Sequence, residues 1–304
     1  MAGRIAMDGW VRQAVLGASA LITAVALLCV LPSLAEAAKC AGRKATVVGG
    51  PGDNVLKADK KGVQVIAAGG GNDLIMSKRN RDIICGGPGD DRIYSGTGRD
   101  QVYGGIGNDF IDEGPGSGKA WGDAGNDTMI GGGGGESFRG GDGDDRLIGE
   151  IQDDDLYGDA GNDLLIGGQG IDTLGGGSGD DWVRGDTNQD RFFGDDGSDT
   201  VSFATATPPG PLPTQDGVTV DLRAGLALGD DSQEGPITGF ENVVGSAFED
   251  SLVGSDLGSI RGLGGGDLCS GFLETVCGGA VSGVVGGVTR GPPGGPTVYI
   301  TNPD

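Results

Sequence analysis

Thirteen aspartates recur in steps of nine residues or twice nine: Asp73, Asp82, Asp91, Asp100, Asp109, Asp127, Asp145, Asp154, Asp163, Asp172, Asp181, Asp190 and Asp199. Evenly spaced carboxylates, in a chain with no histidine to act as a base, point to the binding of hard cations rather than to acid–base catalysis. Alternate aspartates are preceded two residues earlier by Gly71, Gly89, Gly107, Gly125, Gly143, Gly161, Gly179 and Gly197. Backbone carbonyls from such turns would add neutral oxygen donors.

These residues belong to sixteen consecutive nine-residue units running from 59 to 202. Gly86-Gly87-Pro88-Gly89-Asp90-Asp91-Arg92-Ile93-Tyr94 is the type unit, with aspartate sixth and an aliphatic residue eighth. The eighth place is apolar throughout, from Ile66 and Ile75 to Phe192 and Val201. Glycine permits left-handed backbone angles, so the first six residues are expected to form a tight turn with inward carbonyls. The last three then make a very short strand. Its eighth residue faces inward while the seventh and ninth face solvent, as Arg92 and Tyr94 do around Ile93. Two units form one coil of eighteen residues, and coils stack about 4.8 Å apart. The fold class is all-β, a parallel β-roll (β-helix solenoid) with two repeats per coil.

Alternate units therefore lie on opposite edges. The edge bearing Asp73, Asp91, Asp109, Asp127, Asp145, Asp163, Asp181 and Asp199 is intact, with glycine fourth and a small polar residue fifth in every unit. All the departures fall on the other edge: Gln64, Asn80, Gly118, Glu136, Gln152 and Asn188. Stacked acids about 5 Å apart repel by about 3 kcal/mol per neighbouring pair at an effective dielectric of 20. A hard divalent cation between turns removes that repulsion and couples binding to folding. Carboxylates with carbonyls in a flexible loop suit calcium better than magnesium. The expectation is a continuous column of up to seven ions on the intact edge. Asp82, Asp100, Asp154, Asp172 and Asp190 form a weaker, patchy column opposite. Substituting Asp127 should weaken folding much more than substituting Asp154. The acidic stretch at Asp142 does not fit an EF-hand, because Leu147 stands where that loop needs glycine.

With these residues in view, the chain resembles the RTX, or haemolysin-type calcium-binding repeat, family. The resemblance covers residues 59–202, with an offset unit from Gly49 to Leu56. It implies a parallel β-roll in which each ion takes an aspartate and turn carbonyls from two successive turns of one edge, Asp73 with Asp91 and onward to Asp199. Toxins and proteases of the family usually carry a further domain that this sequence does not show, so their activities are not carried over.

Residues 1–37 read as a signal peptide: Arg4 and Arg12 precede an apolar stretch from Ala14 to Leu31, followed by Ala35-Glu36-Ala37. An uncleaved anchor is the alternative. Residues 38–58 are expected to form an N-terminal cap, 203–217 a proline-rich loop, 218–277 an irregular continuation and C-terminal cap, and 278–304 a flexible tail. Cys40, Cys85, Cys269 and Cys277 remain after the signal, an even number in an exported chain. Of three connectivities, Cys40 with Cys85 and Cys269 with Cys277 would fasten the two ends of the array. The net charge of −23 argues against nucleic acid, which needs a basic footprint, and favours a cationic partner. The sequence thus predicts a secreted, non-enzymatic calcium-binding protein with no membrane association after cleavage. The alternative is an extracellular adhesin or matrix component, with a cell-surface or matrix partner, whose rod calcium stiffens.

Overall fold

A computed structural model of the chain describes residues 39–204, 216–228, 236–255, 258–263, 267–270 and 275–277. The expectations for residues 1–37 and 278–304, and for most of the proline-rich loop, lie outside the described residues. Within them, every regular element is a strand. Successive units alternate between two parallel sheets, one of ten strands and one of twelve. The register is eighteen residues per coil: Val102 pairs with Ala120 and Ile84 in one sheet, and Ile111 with Met129 and Ile93 in the other.

The eighth-place residues are sealed between the sheets, from Ile66 to Val201, with Phe192 the most exposed at 1%. Because each coil contributes only two large apolar side chains, no neighbour can fill a gap that one of them leaves. Leu147→Ala is therefore expected to cost about 3–5 kcal/mol, the upper part of the usual range for a buried leucine. Denaturant melts at saturating calcium would measure it, and a loss below about 1 kcal/mol would mean the column is not tightly packed.

Some strands have the three residues expected, as in Arg92–Tyr94 and Phe110–Asp112, but many are longer. Gln101–Ile106 and Lys119–Ala124 run through the eighth place and on into the next turn, where Gly105 pairs with Asp123 and Ile106 with Ala124. A left-handed residue in second place, Gly105 at φ +124° or Asp123 at +74°, rounds the corner without leaving the ladder. The fourth place is equally constrained. At Gly89 (φ +134°) a Cβ would stand 2.2 Å from the Gly71 carbonyl. Asn80, Gln152 and Asn188 keep positive φ at the three fourth places where sequence shows a departure, so the turn survives there.

Before residue 59, Val47–Val48 and Val55–Ala58 begin the two sheets. The hairpin of Lys39–Cys40 and Arg43–Lys44 is tied to the body by a Cys40–Cys85 disulfide with Cα atoms 5.7 Å apart. Cys269 is also disulfide-bonded; the side chain of Cys277 lies outside the described residues. After the array, Ile237–Thr238 ends the ten-stranded sheet, while Asn242–Val244, Ile260–Gly262 and Thr275–Cys277 extend the other. Asp216–Asp221, Leu226–Leu228, Glu249–Val253 and Leu268–Ser270 form a separate four-stranded sheet, whose Val218, Val220 and Leu252 join the same core.

Candidate metal centre

The eight sixth-place aspartates of the intact edge are all buried, none more than 3% exposed. Each uses one carboxylate oxygen in the same way. Oδ1 of Asp91 accepts the backbone N–H of Asp73, and the pattern repeats coil by coil to Asp199 and Asp181, at 2.7 to 2.9 Å. Asp73 closes the lower end by accepting the Asn54 N–H at 2.7 Å. At the upper end the acceptor for Asp199 is Oε2 of Glu241, at 2.9 Å.

A second ladder runs the other way. Oδ1 of each fifth-place residue accepts the N–H of its counterpart one coil later, from Asp53 and Asn72 through Asp180 and Ser198, at 2.7 to 3.2 Å. This explains the Asn or Asp in the fifth places from Asn72 to Asp180, whose short side chains reach the neighbouring turn; Ser198, last in the column, enters the ladder through its backbone N–H alone.

The other oxygen, Oδ2, is buried without a hydrogen-bond partner in all eight. From Asp91 to Asp199 it lies over the first-place glycine of its own turn; the turn of Asp73 begins with Ala68. Above Gly86, Gly104, Gly122, Gly140 and Gly158 a Cβ would stand 2.1–2.3 Å from this oxygen and 2.5–2.9 Å from the first-place carbonyl of the next coil. A side-chain-free cradle thus holds a carboxylate oxygen and a carbonyl oxygen together, two negative ends with no donor between them. Such an arrangement in a low-dielectric interior demands either a proton or a cation. Burial, with neighbouring acids adding to it and the N–H caps opposing, pushes Asp109 up to about 8, Asp145 and Asp163 to about 7, and Asp91, Asp127, Asp181 and Asp199 to about 6. Asp73, at the lower end, is raised by burial and by Asp53, with the Asn54 N–H opposing. Among the described residues no three His, Cys, Asp or Glu side chains converge on one point. An ion must therefore draw most of its donors from the backbone, which suits calcium. The fourth-place carbonyls from Gly71 to Gly179 each abut the next fourth-place glycine, within 1.8–2.3 Å of where its Cβ would be.

The second edge divides in two. Its N–H ladder joins Gln64 to Asp82 and Asp82 to Asp100, stops at Gly118, and resumes from Glu136 through Asp154 and Asp172 to Asp190. Asp154 and Asp172 present orphaned Oδ2 atoms over Gly149 and Gly167, like the intact edge, and the Asp190 carboxylate lies over Gly185 in the same position. Asp82 and Asp100 do not. Their first-place residues are Ser77 and Ser95, whose hydroxyls bond the Asp82 Oδ2 and the Asp100 carboxylate. Sequence reasoning missed these serines, Glu113 and Glu241. A survey of the first place alone would have found the first three.

The RTX calcium-binding nonapeptide repeat profile (four copies) aligns with residues 78–111, 86–120, 114–135, 130–165, 139–174 and 166–201. No curated protein matches the chain.

Proposed function

We infer, from the premise that this chain is an RTX-type repeat protein across residues 78–201, that it is an exported calcium-binding roll whose folding is driven by calcium outside the cell. The observation that carries this reading is the column of eight buried aspartates, each with one oxygen capping a turn and the other unpartnered. Calcium bound there would neutralise the acids that the stack forces together. Asp73, Asp91, Asp109, Asp127, Asp145, Asp163, Asp181 and Asp199 would hold it, with turn carbonyls completing the shell, and Asp154, Asp172 and Asp190 would do so opposite. The matched family is a structural repeat. The buried carboxylates would be taken up by backbone N–H groups through one oxygen and by calcium through the other, so we assign the chain no catalytic role.

Export is supported by the signal-like residues 1–37 and by the Cys40–Cys85 disulfide, a bond favoured in oxidising compartments. Extracellular sites of this kind bind at about 10⁻⁴–10⁻³ M, which lets the chain stay loose before export and fold after it. Titration calorimetry should show several calcium ions binding in that range and little heat from magnesium. No binding at about 10 mM calcium, tenfold above the range, sinks the reading.

A further inference from the structure

The unit 113–121 departs twice from the repeat: glutamate stands first, where its neighbours on the intact edge have glycine, and Gly118 stands sixth, where they have aspartate. The structure shows that the two departures compensate. In Gly86 to Asp91, the first-place glycine leaves room for the sixth-place carboxylate, with the Cβ position 2.2 Å from Asp91 Oδ2. In Glu113 to Gly118 the room is on the other side. The Cβ position of Gly118 is 2.3 Å from Oε2 of Glu113, so the glutamate reaches from the opposite end of the same turn into the space that an aspartate would use.

Glu113 is 1% exposed. Its Oε2 accepts from Ser95 Oγ at 2.7 Å, while Oε1 has no partner. One coil on, directly above Gly118 in the ladder, is Glu136, 2% exposed with neither oxygen partnered. Its Oε2 lies 3.0 Å from the Cβ position of Gly131, which the Gly149 carbonyl approaches to 2.2 Å. This is the pairing of carboxylate and carbonyl seen along the intact edge. Glu113 and Glu136 are close enough to repel each other, and the Glu136 and Asp154 carboxyls approach so closely that, with no donor of their own, only a shared proton or a cation can hold them together. Two buried glutamates on consecutive coils, with three of four oxygens unpartnered, have the composition of a cation site and lack only the charge that would stabilise it.

We propose that Glu113 supplies, from the first place of its turn, the carboxylate that Gly118 lacks, and that with Glu136 it forms a calcium site outside the nonapeptide pattern. The second column then extends from Glu113 to Asp190; one coil earlier the single Ser95 hydroxyl hydrogen serves either Asp100 or Glu113, and before that Ser77 satisfies Asp82. The proposal rests on the calcium-binding reading above, and ion counting separates the two. Equilibrium dialysis of the full chain at saturating radioactive calcium gives the number bound. Glu113→Gln, which keeps shape and removes charge, should bind one ion fewer than the wild type, and Glu136→Gln should lose the same ion. Gly118→Asp alone should be destabilised, since its side chain meets Glu113. The pair Glu113→Gly with Gly118→Asp restores the ordinary arrangement and should recover the wild-type count. If Glu113→Gln binds as many ions as the wild type, Glu113 is only a protonated acid held by Ser95 and the proposal fails. If Glu113→Gln does not fold, the swap decides: a count below wild type in the paired variant refutes the proposal. A wild type that binds no calcium overturns the function reading itself.

Discussion

In metal-free buffer near neutral pH, the chain should lose most of its strand signal in far-ultraviolet circular dichroism and be cut by proteases throughout residues 59–202. Adding calcium should restore both, and the same concentration of magnesium should not. The expectation follows from the stacked carboxylates. Ionised neighbours about 5 Å apart repel by about 3 kcal/mol at an effective dielectric of 20, and the intact edge alone stacks eight of them. Several such pairs exceed a typical net stability of about 5–15 kcal/mol. The N–H caps reduce this cost without removing it, because each occupies one oxygen and leaves the other bare. The sign with pH is fixed by the raised acids. A carboxyl whose folded pKa lies above its unfolded value contributes protonation-linked stability below about pH 4, and that contribution is lost as pH rises through the folded value. Here the loss spans the interval from about 6 for Asp91, Asp127, Asp181 and Asp199 to about 8 for Asp109, with burial as the main cause. Acid should therefore replace calcium in part: the metal-free chain should be more ordered near pH 4.5 than near pH 8. A metal-free chain that is compact and protease-resistant at about pH 8 refutes the coupling of calcium to folding.

What could be read from the sequence, and what could not, follows from how each residue is used. Ile93, Ile111 and their counterparts were legible because one constant period fixes both their depth and their partners. The sixth-place aspartates were legible for the same reason. The fifth-place Asn and Asp residues were visible as a pattern but not as a ladder, because the bonds join residues eighteen apart and only the coil makes them neighbours. Strand length was right for Arg92–Tyr94 and Phe110–Asp112 and misjudged where left-handed residues such as Asp123 continue a parallel ladder around a corner. Ser77, Ser95 and Glu113 were hidden because the departures were sought in the fourth and sixth places, and these residues stand first. Their side chains enter the space that the ideal unit keeps empty. Glu241 was out of reach, since it caps Asp199 across 42 residues and no nine-residue phase connects them.

The second large effect is expected from Asp127→Asn, and it should change sign with calcium. Asparagine can still accept the Asp109 N–H through Oδ1, a bond of 2.7 Å in the wild type, so the turn keeps its cap. What changes is Oδ2, which becomes an amide donor facing the Gly140 carbonyl. Without calcium this removes repulsion from both sides of the column and satisfies a buried atom, so the metal-free variant should be more ordered than the wild type. With calcium it weakens the two sites that would share Asp127, and the calcium midpoint for folding should rise by at least about tenfold, the smaller end of what altering a metal site usually does. The control is Asp82→Asn. The Asp82 Oδ2 already has the Ser77 hydroxyl, so its calcium midpoint should shift by less than about twofold, about 0.4 kcal/mol, even if the buried change lowers stability with and without calcium alike. Sequence alone suggested Asp154 as the insensitive partner, but its unpartnered Oδ2 groups it with the intact edge and moves the comparison to Asp82. Equal midpoint shifts for Asp127→Asn and Asp82→Asn would mean that the serine caps do not separate the two kinds of turn. A variant at Asp127 that is less ordered than the wild type both with and without calcium would show that this carboxylate serves the backbone alone.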